Sequence, residues 1–584
     1  MAEQVPSLTM AEATAQMIAP GSMFEMTTAM IRGIELRVWK NAPKTLRDVL
    51  LGTRRHADRD FLVYEDERIT YGEHFAMAAT FAKRLEAAGV RPGDRVAIAM
   101  RNLPEWIVAF WAIMALGAIV VPLNAWWTTD ELVYGLTDSA SSVVIVDLER
   151  LGRLTAHLDE LEALHTVVVA SEDRGIDFEL PATSAPVSLV KFFDFLGPVD
   201  PDEMLPEVTI EPDDDATIFY TSGTTGQPKG AVGSHRNAAT NLMNLFFFST
   251  RTVMRLAGTK EAPPSGANAY LLSVPLFHAT GCQAILVVNT AAAGKIVIMH
   301  HFDPERTLEL IERERITIFG GVPTMVMQVL DSPSFAQHDL SSVRSISYGG
   351  APAPADLVRR IREAFPVGQP GNGYGMTETT AASAMITGAD YVAHPDSVGP
   401  ITPVGDAAIV PEGYDGQEPP PERPQGPQVT GELWIRGPQV VRGYWNKPDA
   451  TAETFTRGWV HTGDIARIDD EGLIYVIDRS KDVIIRGGEN IYSIEVETAL
   501  FDHPAIADCA VIGVPHPTLG EQVGAVVVLR TGASVSAEEL ARHVGERLAA
   551  YNVPSHFYFR EEPLPRNPAG KVLKRELREE ILRG

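Results

Sequence analysis

Apolar runs alternate with longer amphipathic stretches between residues 46 and 205. Arg95-Val96-Ala97-Ile98-Ala99-Met100 and Ser142-Val143-Val144-Ile145-Val146 read as strands buried on both faces, and 71–88 carries a helical period. Such alternation predicts βαβ units and a parallel sheet covered by helices. The same texture returns in Ala269-Tyr270-Leu271-Leu272-Ser273-Val274 and Val343-Arg344-Ser345-Ile346-Ser347, so the body is a layered α/β structure. One stretch, 106–123, holds 18 residues without a charge, roughly the length that flags a membrane-spanning helix. Gly117 and Pro122 interrupt it, and Asn102-Leu103-Pro104-Glu105 supplies a helix start just before it. The pattern therefore predicts a buried helix to Leu116 followed by a short strand over 118–121. The polar segment 124–132 has no basic anchor cluster, and no transmembrane segment is expected.

Further along, 411–430 is rich in Pro, Gly, Glu and Gln and predicts an exposed loop. Hairpin-like alternation follows over 431–477. The last hundred or so residues form their own α+β pattern, with strands near 509–512 and 524–528. Ser536 and Glu539 fit a capping box for a helix whose Leu540, Val544 and Leu548 share one face. The expected division is a large multi-subdomain N-terminal body, 1–480, and a small mobile α+β C-terminal domain, 481–584. A chain of 584 residues is too long for one core, and no fixed repeat is visible, which sets aside solenoids and propellers.

Composition narrows the partners. With 76 acidic against 50 basic side chains the net charge is -26, which repels nucleic acid and anionic membranes. Any polyphosphate must then be held by local donors and a metal. Peripheral membrane contact and a homodimer stay open. Cys282 and Cys509 match no metal-ligand spacing, and a reducing compartment is expected. The first basic residue is Arg32, so no targeting segment is read at the N-terminus and a cytoplasmic location is expected.

Chemistry concentrates in Tyr220-Thr221-Ser222-Gly223-Thr224-Thr225-Gly226-Gln227-Pro228-Lys229-Gly230. Its glycines let backbone approach an anion, its hydroxyls and amides donate, and Lys229 supplies charge. It departs from the Walker A loop, because Gly230 rather than Ser or Thr follows Lys229 and Pro228 lacks an amide proton. The segment resembles the signature loop of the adenylate-forming superfamily, which comprises acyl-CoA synthetases, peptide-synthetase adenylation domains and beetle luciferases.

Further segments match that family in order. Asn372-Gly373-Tyr374-Gly375-Met376-Thr377-Glu378 resembles its adenine and magnesium motif. The resemblance implies that Tyr374 flanks adenine, Thr377 binds the α-phosphate, and Glu378 with Thr225 holds Mg2+. Gly349-Gly350-Ala351-Pro352 is similar to the turn shared by the adenine and acyl pockets. His461-Thr462-Gly463-Asp464 matches the motif whose Asp accepts from the ribose hydroxyls. Arg479 stands where the family also contacts ribose, and Lys481 at the hinge. Lys571 corresponds to the family's catalytic lysine, and Pro275-Leu276-Phe277-His278 to the helix start lining the acyl site, with His278 a candidate catalytic residue. Gly487 and Gly488, in Arg486-Gly487-Gly488-Glu489-Asn490, would line the approach of the thiol after the small domain turns.

The resemblance thus implies an acid–thiol ligase using ATP, Mg2+ and coenzyme A. Gly375 stands where acetate-specific relatives carry Trp, so a medium- or long-chain fatty acid is expected ahead of acetate. Aryl and steroid-derived acids come next. An acyl-AMP ligase loading a carrier protein, and a nucleotide-binding regulator without turnover, are the rivals. The presence of both Glu378 and Lys571 weighs against the regulator.

Overall fold

The computed structural model describes residues 8–173, 177–221, 227–257, 268–351, 353, 355–411, 414, 416, 420, 429–567 and 570–583. Two large sheets dominate. The first has seven strands in the order Lys229–Ser234, Asp215–Thr221, Ile119–Pro122, Arg95–Ala99, Val143–Asp147, Thr166–Ala170, Ser188–Lys191. It is parallel except for its first pair. The second has eight, in the order Ala384–Thr387, Gln369–Tyr374, Ser345–Gly349, Ile318–Gly321, Ala269–Leu272, Lys295–Ile298, Asp60–Tyr64, Glu67–Thr70. Only its outermost pairs are antiparallel. Runs that read as strands buried on both faces are so because helices pack on each side.

The helix Pro104–Leu116 lies between these sheets, and all of its side chains are buried. Pro104 occupies its first turn, where the missing amide costs nothing, and Gly117 ends it in the left-handed region at φ 74°. Side chains from both sheets and from this helix share one core, including Ile98, Phe110, Leu272 and Ile296. Asn102 ties the two halves together. Its Nδ2 donates to the Val274 carbonyl at 3.0 Å and its Oδ1 accepts from the Leu276 amide at 2.8 Å. The apolar run is thus core, and among the described residues no helix is long and apolar enough to cross a membrane.

A third, antiparallel sheet is built from Gly399–Pro400, Leu473–Arg479, Trp459–Ile468, Gly431–Arg436 and Asp406–Val410, with Phe455–Thr456 paired to one of them. Much of the Pro-rich stretch that precedes Gly431 lies outside the described residues. The last sheet takes Glu489–Ile491, Ile484–Arg486, Gly520–Leu529, Ile506–His516 and His556–Arg560. Its helix Ala537–Gly545 begins with Ser536 Oγ accepting the Glu539 amide. Leu540 and Val544 are buried there, but the helix stops at Gly545, so Leu548 falls past its end and is only partly covered.

This smaller unit docks through buried polar contacts. Asp478 accepts from the Ser493 amide and hydroxyl, and Lys574 Nζ reaches Ser493 Oγ at 2.6 Å and Glu497 at 2.7 Å.

Candidate active site

A cavity of about 1800 Å³ opens where Ile318–Gly321, Ser345–Gly349 and Gln369–Tyr374 end, the carboxyl edge at which parallel sheets bind ligands. Backbones approach closely here. A Cβ on Gly349 would strike the Gly373 carbonyl, and one on Gly320 the Ser347 carbonyl. Gly350, at φ 77°, faces open space. A Cβ on Gly375 would run into the Ala381 carbonyl.

Both flanks of the glycine-rich loop are anchored. The Tyr220 hydroxyl donates to Asp138 at 2.7 Å, and the Tyr134 hydroxyl donates to the Pro228 carbonyl at 3.1 Å. Thr221 Oγ1 donates to the Lys229 carbonyl, and Lys229 Nζ sits 5.3 Å from the centre of the Tyr444 ring. Ser222, Gly223, Thr224, Thr225, Gly226 and Pro352 lie outside the described residues.

Tyr374, Asp464 and Arg479 form one constellation. The Tyr374 hydroxyl donates to Asp464 Oδ2 at 2.5 Å, and Arg479 Nε pairs with Asp464 Oδ1 at 2.5 Å. Asp464 is held in the strand Trp459–Ile468, directly opposite Arg479 in the register. Burial and the neighbouring Asp464 push the Tyr374 phenol well above its ordinary value.

Glu378 stands in a short turn after Gln369–Tyr374, buried, with the Tyr444 hydroxyl donating to its Oε1 at 2.6 Å. Burial raises its pKa, opposed by that hydrogen bond first, then by its own backbone amide, Arg479 and Lys229. Tyr444 was not legible in the sequence as a site residue. It arrives because its backbone bridges Ala231 and the Trp445 amide donates to the Gly230 carbonyl. Among the described residues no three His, Cys, Asp or Glu side chains group to hold a metal. The buried Glu378 carboxylate does fit a hard cation, which would take its remaining ligands from phosphate oxygens and water.

Lys571 enters the same cavity from the small unit. Its amide donates to Asn567 Oδ1 at 2.9 Å, closing a tight turn in which Gly570 adopts φ 77° and abuts Val322. Burial, then repulsion from Arg479, lower the Lys571 pKa to about 8, with Asp464 opposing. His278 lines the cavity, half-buried, with Nε2 lacking a partner, and desolvation lowers it to about 4, so it is a neutral imidazole near pH 7. Thr377, Gly373, Gly349 and Gly350 also border the space. Asn372 sits just behind it, donating to the Ser397 carbonyl, and Ala351 follows the Gly350 turn. Gly487 and Gly488 are not brought to the cavity. They form the turn between Ile484–Arg486 and Glu489–Ile491, where the Gly487 amide donates to the Leu519 carbonyl.

A pocket with Lys229, Arg479, Lys481 and Lys571 around the buried Glu378, with the buried Asp464 paired to Arg479 behind it, suits a polyphosphate ester beside an apolar acid. The comparisons agree. Residues 52–445 match the AMP-binding enzyme family and 495–571 the AMP-binding enzyme C-terminal domain. A feruloyl-CoA synthase of Amycolatopsis sp is 36% identical over 514 residues, covering 87% of this chain and 93% of its own. A long-chain-fatty-acid–CoA ligase of Bacillus subtilis (strain 168) is 34% identical over 554 residues, covering 92% and 94%. The o-succinylbenzoate CoA synthetase MenE of Bacillus subtilis, solved with the acyl-adenylate OSB-AMP, superposes with TM-score 0.73 at 29% identity, covering 92% and 98%. Its complex with ATP and a magnesium ion gives TM-score 0.72 at 30% identity, covering 91% and 98%. The chain belongs to the AMP-binding enzyme family of the adenylate-forming superfamily, as an AMP-forming acid–thiol ligase.

Proposed function

We propose that this enzyme activates a medium- or long-chain fatty acid, or an acid of similar apolar bulk, and transfers the acyl group to coenzyme A. The observation that carries this is the continuity of one cavity from Lys571 and Arg479, past His278, to walls formed by Leu245, Phe246, Val274, Ile285 and Val288. A space of that size and lining accepts a ligand larger than acetate. Aryl acids are the second reading, favoured by the similarity to feruloyl-CoA synthase.

In the first half-reaction the acid's carboxylate oxygen attacks the α-phosphorus of ATP, and the bond to pyrophosphate breaks with its electrons leaving on pyrophosphate. Lys571 places its ammonium where carboxylate and α-phosphate meet. That charge stabilises the developing negative charge more in the transition state than in the ground state. Asp464 accepts from the ribose hydroxyls, a position fixed by its bond from Tyr374 and its pair with Arg479. Magnesium held by Glu378 would neutralise triphosphate charge. In the second half-reaction the small domain turns about Lys481 and withdraws Lys571. The thiol sulfur then attacks the acyl carbon, the bond to AMP breaks, and the thiol proton goes to solvent. Gly487 and Gly488, outside the cavity in this arrangement, would then border the thiol's path.

The decisive experiment is ATP–pyrophosphate exchange over a panel of acids, with thioester formation followed with and without CoA. Exchange with extended or aryl acids and CoA-dependent thioester is expected. Exchange without any CoA thioester would instead assign the acceptor to a carrier protein.

A further inference from the structure

Asp138 stands in the last turn of the helix Thr129–Ser139, the end at which a negative charge opposes the helix dipole. Helix stability is therefore no reason for a carboxylate there. Its side chain is only 9% exposed, and each oxygen has a partner from a different part of the chain. Oδ2 accepts from the Tyr220 hydroxyl at 2.7 Å, and Oδ1 pairs with Lys447 Nζ at 3.1 Å. The Asp138 carbonyl accepts from the Trp445 indole at 3.1 Å. Burial and then the bond to Asp138 push the Tyr220 phenol well above its ordinary value, so it remains a donor.

Both partners lead to the cavity wall, which Asp138 itself does not line. Tyr220 lies opposite Gly230 in the antiparallel pair, with its ring over the glycine: a Cβ there would stand 3.3 Å from the Tyr220 Cζ. Holding Tyr220 therefore fixes the start of the strand Lys229–Ser234. One turn earlier on the Asp138 helix, the Tyr134 hydroxyl grips the Pro228 carbonyl, so Lys229 is held from both sides. On the other arm, Lys447 and Trp445 belong to the segment that carries Tyr444. The Trp445 amide donates to the Gly230 carbonyl at 2.7 Å, and the Tyr444 hydroxyl holds Glu378 at 2.6 Å.

We propose that Asp138 is a positioning residue for Mg·ATP, holding the Lys229 ammonium and the Glu378 carboxylate at a fixed separation without touching the nucleotide or its metal. The inference rests on the adenylation reading above. A cation meant for phosphate and an anion meant for magnesium attract one another, and Lys229 and Glu378 already interact. A site that uses both needs each anchored from behind, so that no reorganisation is left to the moment of reaction. Asp138 supplies both anchors, Tyr220 on the Lys229 side and Lys447 on the Tyr444 side. An acyl-adenylate has no β- or γ-phosphate, so the thioester half-reaction has no use for this arrangement.

The test measures KM for Mg·ATP in ATP–pyrophosphate exchange and, separately, thioester formation from supplied acyl-adenylate. It compares the wild type with Asp138→Asn, Tyr220→Phe, Lys447→Met and the double variant Asp138→Asn/Lys447→Met. Asparagine keeps the shape of the side chain but turns one oxygen into a donor facing another donor. KM for Mg·ATP is expected to rise about tenfold in Asp138→Asn and about threefold in each partner variant, the scale of a charged and of an ordinary hydrogen bond. The double variant should be no worse than Asp138→Asn, because both changes cut the same ion pair. Thioester formation from acyl-adenylate should stay near wild type throughout, whereas a merely structural role would lower both half-reactions together. An unmoved KM in Asp138→Asn, additive losses in the double variant, or equal losses in the two half-reactions overturns the assignment. If Asp138→Asn does not fold, an unmoved KM in both partner variants overturns it. A wild type that exchanges pyrophosphate with no acid of the panel overturns the adenylation reading instead.

Discussion

Single side chains in this site do their work through charge held in a dry place. Lys571→Ala is expected to slow acyl-adenylate formation by about 10²–10³-fold, the scale of losing one preorganised electrostatic group. Conversion of supplied acyl-adenylate to thioester should stay largely intact, and equal loss in both assays would refute the role proposed for this lysine. The pH dependence follows from the same residue. Its folded-state pKa lies below the ordinary lysine value, so the ammonium is present below about pH 8 and lost as pH rises through it. The basic limb of kcat/KM for adenylation is therefore expected near 8, and Lys571→Arg, whose guanidinium does not titrate there, should remove that limb. Tyr444→Phe deletes the hydrogen bond that opposes the raised Glu378 pKa. The magnesium concentration for half-maximal exchange should rise roughly three- to tenfold, the worth of one net hydrogen bond. An unmoved titration would detach Tyr444 from the metal.

At the level of elements, the turn that carries Lys571 meets the body at a glycine that admits no side chain. Gly570→Ala combines a left-handed backbone with a Cβ 2.5 Å from Val322 Cγ2. Adenylation should fall about tenfold while the thioester half is spared, since only the docked arrangement brings those atoms together. The partly buried Lys574, with the buried Glu497 and Asp478, holds the small unit's first helix to the Leu473–Arg479 strand. Lys574→Met leaves two carboxylates without their cation, at a cost of about 3 kcal/mol. Exchange of the Val511 amide, which donates to Glu497 Oε1 at 2.8 Å, is expected to accelerate roughly a hundredfold. Elements of this kind differ in how far the chain reveals them. Arg95–Ala99 and Pro104–Leu116 were legible because burial on all sides leaves an unbroken apolar run. Asp464, Glu378 and Lys571 were legible because each stands in a contiguous segment with a family likeness. Tyr444 and Asp478 were not, because their roles arise only from partners far away in sequence. Leu548 was misplaced because helical periodicity does not say where the helix stops.

For the whole molecule, the arrangement worth following is the helix Pro104–Leu116, packed on the first sheet and on the helices Leu46–Gly52 and Tyr71–Ala87 and sharing one core with side chains of the second sheet. Apart from Glu105 its side chains are apolar or aromatic, so the first sheet has no finished form without the second. A fragment ending at residue 205 is expected to be insoluble on expression, read as the fraction recovered in the supernatant. Time on the ribosome makes the same point. Val274, which receives the Asn102 amide, lies 172 residues later, about 10 to 30 s of synthesis at ordinary rates. For that interval a nascent chain carries a bare apolar segment of the sort chaperones bind, and its survival depends on being escorted before it can be an enzyme.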